Sequence, residues 1–351
     1  MSGGVLITAA GAATERARRS ALAVLVLGAL ALAGMIILAG ENPLEVAVTL
    51  IRSGFLTWNG FTDAIVRAIP FCLIGLGVAL SFRAGVFNIG GDGQLIAGAT
   101  TAVACVPLLS GLPPTLGVAF LMLAGMIGGA IWGGIAGILK ARFGANEIIA
   151  TIMLNYIAVQ LLSWLVRGPL QEPSGIFPRS ARLAAELRLP VIVDGTRISA
   201  GLLVALVSVV LVWVLASRTR WGFSLTLTGA NPEAVRYGGA SPRFVVVTVM
   251  LASGALAGLA GIVEVAGLHG RLQEGFAPGF GLTAIAVALL ARLNPLLVPV
   301  SAFGFAGLYT GSATVARTTS IPFPVVHVIE AAIIFAFLAA SLLRSRPQPA
   351  G

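Results

Sequence analysis

Long apolar runs separated by short polar breaks set the plan of this chain. A bilayer-crossing helix needs about 20 mostly apolar residues. Ten stretches qualify, at about 21–40, 62–82, 94–111, 115–139, 146–166, 198–217, 243–268, 281–296, 297–316 and 323–343. Asn294, Pro295 and Pro299 interrupt the eighth and ninth. The stretch 42–58 reads as a short helix lying in the interface. The runs are continuously apolar rather than alternating, which excludes a transmembrane β-barrel. The pattern predicts an all-α polytopic integral membrane protein of about ten spans. Residues 1–20 and 344–351 are then tails, and 21–343 form one transmembrane domain. The first run follows three arginines, as a signal peptide would, but it is as long as a full span and reads as a retained helix.

Composition agrees with the pattern. Of 351 residues, 58% are hydrophobic and only 10% are charged, against roughly a quarter charged in an ordinary soluble domain. The mean hydropathy is +0.99. The net charge of +9 raises nucleic acid as a partner, but the arginines are scattered between apolar runs and form no patch. They fit positive-inside topology instead. A cytoplasmic N-terminus puts Arg83, Lys140, Arg142, the 218–243 loop, Arg292, Arg344 and Arg346 inside. The long 167–197 loop then lies outside. Cys72 and Cys105 sit in apolar runs and have neither disulfide nor metal-ligand spacing.

Two polar interruptions stand out. FNIGGDGQ (87–94) joins the second and third runs, near the expected cytoplasmic side. FAPGFGLT (276–283) follows the seventh run, on the expected outer side. Glycine permits a tight backbone without helix, and Asp92 or Gln94 could cap the helix that follows. Unwound backbone survives at membrane depth only where protein or a water-filled cavity covers it. Two such breaks on opposite faces suit an inverted repeat of spans 2–5 and 7–10, a pattern that points to a transport pathway. Two ordinary turns would give the same residues.

Candidate pathway residues follow from this reading: Asn88, Gly90, Asp92, Gln94, Asn146, Glu147, Asn155, Tyr156 and Glu264, with Gln160 and Trp164 beside them. A charged residue within a span is costly and is read first as functional. Most of these residues are neutral, which suits an uncharged polar solute. Interhelical hydrogen bonds would use the same residues. Glycines four apart (Gly125, Gly129, Gly133 and Gly137; Gly254 and Gly258) form faces for close helix packing.

The 218–243 loop carries its own helix signals. Asn231 is an N-cap, Pro232 stands in the first turn, and Glu233 lies at the positive end. Gly238 and Gly239 end the helix. A solvated connector or a docking surface for a partner both fit. The chain has no catalytic constellation. Its one lysine, Lys140, stands in GILKARF, so it has no phosphate-binding loop and binds no ATP itself. Ser253 and His327 are the only residues to weigh as a protease pair, and no oxyanion motif supports them. No metal site and no cofactor are expected.

Four blocks resemble a known family: AIPFCLIGLGVALSFRAGVFNIGGDGQLIAGA, GANEIIATIMLNYIA, TGANPEAVRYGGAS and GLTAIAVALLARLNPL. In this order they are similar to permease subunits of bacterial ABC importers, in the family of branched-chain amino acid and ribose permeases. FNIGxxGQ and ANEIIxTxMLNYIA look most like its nucleoside branch. The resemblance spans about residues 43–343. It implies a multi-pass protein of the bacterial inner membrane, its N-terminus cytoplasmic, working with two cytoplasmic ATPase subunits. It also implies a second, homologous permease and an extracytoplasmic binding lipoprotein. Asn231, Pro232, Glu233, Ala234, Arg236, Tyr237 and Gly238 would form the helix that couples to the ATPase. GGDG at 90–93 departs slightly from the branch, which often flanks its acid with Ala and Gly; Asp92 keeps the acid. Simple sugars or branched-chain amino acids are alternative solutes, and a stand-alone secondary transporter is the rival from another class.

Overall fold

The computed structural model describes residues 26–28, 30, 32–276 and 279–319. These divide into two units, one from the residues up to Phe61 with those from Gly307 onward, the other Thr62–Ala306. In the first, α1 (Pro43–Ile51) runs into a π turn, Arg52–Leu56. Asn42 caps α1 by accepting the Leu44 N–H at 3.0 Å. Ile36, Val46, Leu50 and Val315 form its apolar core.

The second unit is built from helices. α2 (Trp58–Arg83) enters it from the first unit. Then come α3 (Gly91–Ala104), α4 (Pro114–Phe143), α5 (Glu147–Val166), α6 (Gly201–Arg218), α7 (Arg220–Ala230), α8 (Pro232–Tyr237) and α9 (Pro242–Glu264). A π turn, Val265–His269, extends α9. α10 (Phe280–Leu290) follows, and α11 (Val298–Thr318) leads back into the first unit. Among the described residues, five helices are long and apolar enough to cross a membrane: α2, α4, α5, α6 and α9 with its π turn. α11 has the length but dilutes its apolar residues with Gly, Ser and Thr. The expected span 323–343, with residues 21–25, 29 and 31 of the first, lies outside the described residues.

Over 68–80, α2 is apolar all round and buried, as helices without a polar face are, and most of the second half of α9 is buried as well. Phe71, Leu73, Ile74, Leu76 and Leu80 of α2 are at most 1% exposed. α9 packs on α4 and α3, and the glycine faces explain how closely. A Cβ on Gly129 would collide with the Gly254 carbonyl and the Gly258 backbone. Without side chains between them, backbones gain dispersion contacts that lipid does not offer.

The third and eighth expected spans are shorter than the sequence pattern suggested. α3 has 14 residues and α10 has 11, or about 21 and 16 Å at 1.5 Å per residue. Neither crosses a hydrocarbon core of about 30 Å alone. α3 gives way to a 3₁₀ turn, Val106–Leu109. α10 stops where Arg292 and Leu293 adopt left-handed φ of 51° and 57°. The 218–243 loop holds a second helix besides the expected one: α7, which Thr219 caps by accepting the Gly222 N–H at 3.1 Å.

The loops gather at two ends of this unit. Ala84–Val86, Lys140, Arg142, Gly144, Gly229, Pro232 and Arg243 line one recess. The 167–197 loop lies against the segment after α9: Leu189 N–H meets Ala266 O, Leu183 N–H meets Gly270 O, and Ser180 N–H meets Leu272 O.

Candidate functional site

The two polar interruptions do not stay on opposite faces. They meet. The Gly281 N–H at the start of α10 donates to Asp92 Oδ1 in the first turn of α3, at 2.7 Å. The helix starts touch backbone to backbone, so a Cβ on Gly91 would lie 2.9 Å from Gly281 Cα. Phe71 of α2 packs edge-on against Phe280 beside them, with ring centroids 5.2 Å apart. Half-length helices explain the meeting: each break re-enters the bundle instead of turning at its rim.

The unwound 84–90 segment exposes backbone groups that lipid cannot satisfy, and α5 satisfies those around Phe87 and Ile89. Phe87 N–H reaches Glu147 Oε1 (3.4 Å) and Ile89 N–H reaches Thr151 Oγ1 (3.4 Å). Asn155 accepts the Gly93 N–H at 2.8 Å and donates to Ile89 O at 2.9 Å. Glu147, Thr151 and Asn155 are four apart, so one helix face carries all three. Asn88 completes the set. Its Oδ1 accepts the Gly90 N–H (2.9 Å) and a Gln94 Nε2 proton (3.0 Å). Its Nδ2 donates to Ser253 Oγ on α9 (2.8 Å) and to Gln94 Oε1 (3.0 Å).

A cavity of about 630 Å³ opens beside the meeting point. Ile89, Ile96, Ile152, Leu162, Phe276 and Leu282 give it apolar walls. Asp92, Asn155, Gln160, Ser163 and Glu274 give it polar groups, and Tyr156 gives a ring. Arg167 holds Glu274 through two bonds, Nε to Oε1 at 3.0 Å and Nη2 to Oε2 at 3.1 Å, and Ser163 donates to the same carboxylate.

Of the residues singled out in the sequence, Asp92, Asn155, Tyr156 and Gln160 line this cavity. Asn88 and Gln94 do not: each is 1% exposed and serves the unwound backbone. Gly90 is the N-cap position of α3, with no side chain capping it. Asp92 therefore caps α10 and not its own helix, and Gln94 pairs with Asn88. Asn146 caps α5 by accepting the Ile148 N–H at 2.9 Å. Glu147 pairs with Lys140 at 2.6 Å at the end of the unit where the short loops gather. Glu264 is buried beside His269, 3.3 Å away, away from the cavity. His327 lies outside the described residues. Ser163, Glu274 and Arg167 were missed. The signal was present on α5, where Asn155, Tyr156, Gln160 and Ser163 recur at helical spacing.

α8 forms as its caps dictate. Asn231 Oδ1 accepts the N–H groups of Glu233 (3.0 Å) and Ala234 (3.3 Å), and Gly239 follows with φ of 79°. Val235 is buried and anchors the helix, while Glu233, Arg236 and Tyr237 face out, Tyr237 93% exposed. At the other end, Glu172 is bound by Arg179 at 2.8 Å, with Arg271 at 3.7 Å. The Arg179 hydrogen bond, then that of Ser174, holds its carboxyl below the usual range. Among the described residues, no cluster of His, Cys, Asp and Glu suits a metal.

Comparison with known proteins decides the family. Residues 60–342 match the model of the branched-chain amino acid transport system permease component. The chain belongs to this permease family. The glucose ABC transporter permease protein TsgB13 of Haloferax volcanii is 38% identical to the permease, over 88% of this chain and 84% of that one. The guanosine ABC transporter permease protein NupP of Bacillus subtilis is 36% identical, over 86% and 90%. The nucleoside ABC transporter permease protein NupB of Lactococcus lactis is 29% identical, over 87% and 86%. Among solved structures, PsaBC from Streptococcus pneumoniae in complex with Fab covers 82% of the permease and 94% of that chain. Its identity of 14% and TM-score of 0.46 are too low to add to the assignment. The permease is thus a multi-pass membrane subunit of an ABC transporter and not itself an enzyme. Its family works with separate ATPase and solute-binding subunits.

Proposed function

We propose that the permease carries a nucleoside, or a related ribosyl solute, through the cavity bounded by α3, α5 and the start of α10. The cavity itself carries this reading. Amide and hydroxyl groups of Asn155, Gln160 and Ser163 match a solute with several hydroxyls, and its isoleucines, Phe276 and Tyr156 match a flat base. The guanosine and nucleoside names of two relatives support the same class. A simple sugar is the second reading, favoured by the glucose name of TsgB13.

In this reading the N-terminus is cytoplasmic, the membrane is the bacterial inner membrane, and α8 couples the permease to the ATPase. A second, homologous permease completes the pathway, as the paired names TsgB13 with TsgC13 and NupB with NupC suggest. A binding lipoprotein delivers solute from outside. The test is uptake in cells lacking other nucleoside carriers, with the whole gene cluster expressed. ATP-dependent accumulation of labelled guanosine or adenosine, not reduced by excess glucose, is the expected result. Accumulation of glucose alone would select the sugar reading.

A further inference from the structure

We propose that Asp92 determines the charge specificity of the cavity: its carboxylate occupies the place where an anionic solute would bind, so the cavity takes uncharged solutes. This rests on the cavity's being the solute path.

The argument begins with the two helix starts. The first four N–H groups of a helix lack intrahelical partners, and the aligned peptide dipoles make that end positive. Such an end attracts phosphate and carboxylate. Broken transporter helices use it to hold anionic groups of their solutes. Here two such ends converge, α3 and α10, and neither has a capping side chain of its own. Their N-cap positions are Gly90 and Gly279. Unfilled, the junction would be an anion site open to the cavity.

The chain fills the junction itself. Asp92 Oδ1 accepts the Gly281 N–H at 2.7 Å. Asp92 also stands in the first turn of α3, where its charge offsets that helix too. Neighbouring donors are taken by neutral groups: Gly93 N–H by Asn155, Gly90 N–H by Asn88. Among the described residues, no Arg or Lys lines the cavity, and its other acid, Glu274, is paired with Arg167. The lining therefore offers amides, hydroxyls, and a carboxylate balanced by two helix starts. A carboxylate has about four lone-pair sites, so Asp92 retains acceptor capacity for a solute hydroxyl. A phosphorylated or carboxylated solute meets a like charge instead.

The test reads the local field without needing transport. In the assembled transporter, with Cys72 and Cys105 replaced, Gln160→Cys places a thiol in the cavity. It is reacted with anionic sulfonatoethyl and cationic trimethylammonioethyl methanethiosulfonate. With native Asp92 the anionic-to-cationic rate ratio should match that of a free small thiol within about threefold. A strong preference for the anionic reagent would overturn the proposal without any further variant. Asp92→Asn keeps an oxygen for the Gly281 N–H but removes the charge, and should raise the ratio about tenfold. Asp92→Glu should leave it near the native value. An unchanged ratio in Asp92→Asn overturns the proposal. Uptake of labelled guanosine by the transporter with native Gln160 and native Asp92 separates the two ideas: no solute uptake there, with a shifted ratio in the cysteine series, sinks the transport reading and leaves the charge assignment standing.

Discussion

Asn88 shows how much one side chain carries. It ties the unwound segment to itself, to α3 through Gln94 and to α9 through Ser253. Asn88→Ala strands the Gly90 N–H, the Gln94 amide and the Ser253 hydroxyl in a buried place. A stranded buried group costs about 1–3 kcal/mol. Ser253→Ala removes one interhelical bond, worth about 0.6–2 kcal/mol in membranes. The purified transporter should therefore lose thermal stability in both variants, and much more in Asn88→Ala. Equal losses would mean that the segment does not depend on Asn88. The sequence marked Asn88 and Gln94 as polar residues out of place in an apolar chain, but could not say whether they face solute or backbone. That depends on which helix lies opposite, and Ser253 is 165 residues away. Glu274 was unreadable for the same reason, since its meaning comes from Arg167, 107 residues earlier.

Local chemistry spelled out the helices well wherever it was sufficient. Asn146, Asn231 and Ser241 each precede a helix and cap it. The apolar runs marked α2, α4, α5, α6 and α9 within a few residues. The runs at 94–111 and 281–296 misled, because hydropathy cannot see where a helix stops inside an apolar stretch. α8 is the most legible element, six residues bounded by caps. Ala234 is half-buried beside the outward Glu233, and a small residue there lets a partner seat closely. Ala234→Arg should leave permease abundance near normal, since α8 adds nothing to burial in the membrane. Uptake should collapse, and co-purification of the ATPase subunits should fall. Normal uptake would reduce α8 to a connector.

At the scale of the molecule, the arginine distribution puts Arg83, Lys140 with Arg142, and the 218–243 loop at one end, and residues of these three connections line one recess. Which end faces the cytoplasm is testable by thiol labelling in a background without Cys72 and Cys105. Tyr237→Cys and Ile176→Cys suit this, because both sites are exposed, at 93% and 74%. Ser180 would mislead, since it is buried and bonded to Leu272. An impermeant reagent added to intact cells should label position 176 and spare 237. Labelling of both, or of 237 alone, would overturn the cytoplasmic placement of α8.

The unwound segment also sets an order of synthesis. Residues 84–90 leave the ribosome before any of their outside partners exists. Glu147, Thr151 and Asn155 come some 60 residues later, Ser253 later still, and Gly281 trails Asp92 by 189 residues. Bare peptide groups do not enter hydrocarbon without partners. The nascent chain must therefore hold this stretch in water, at the translocon or the membrane surface, while α4 and α5 insert. α3 should then reach its final depth only afterwards, and the junction with α10 should close only once Gly281 has been made.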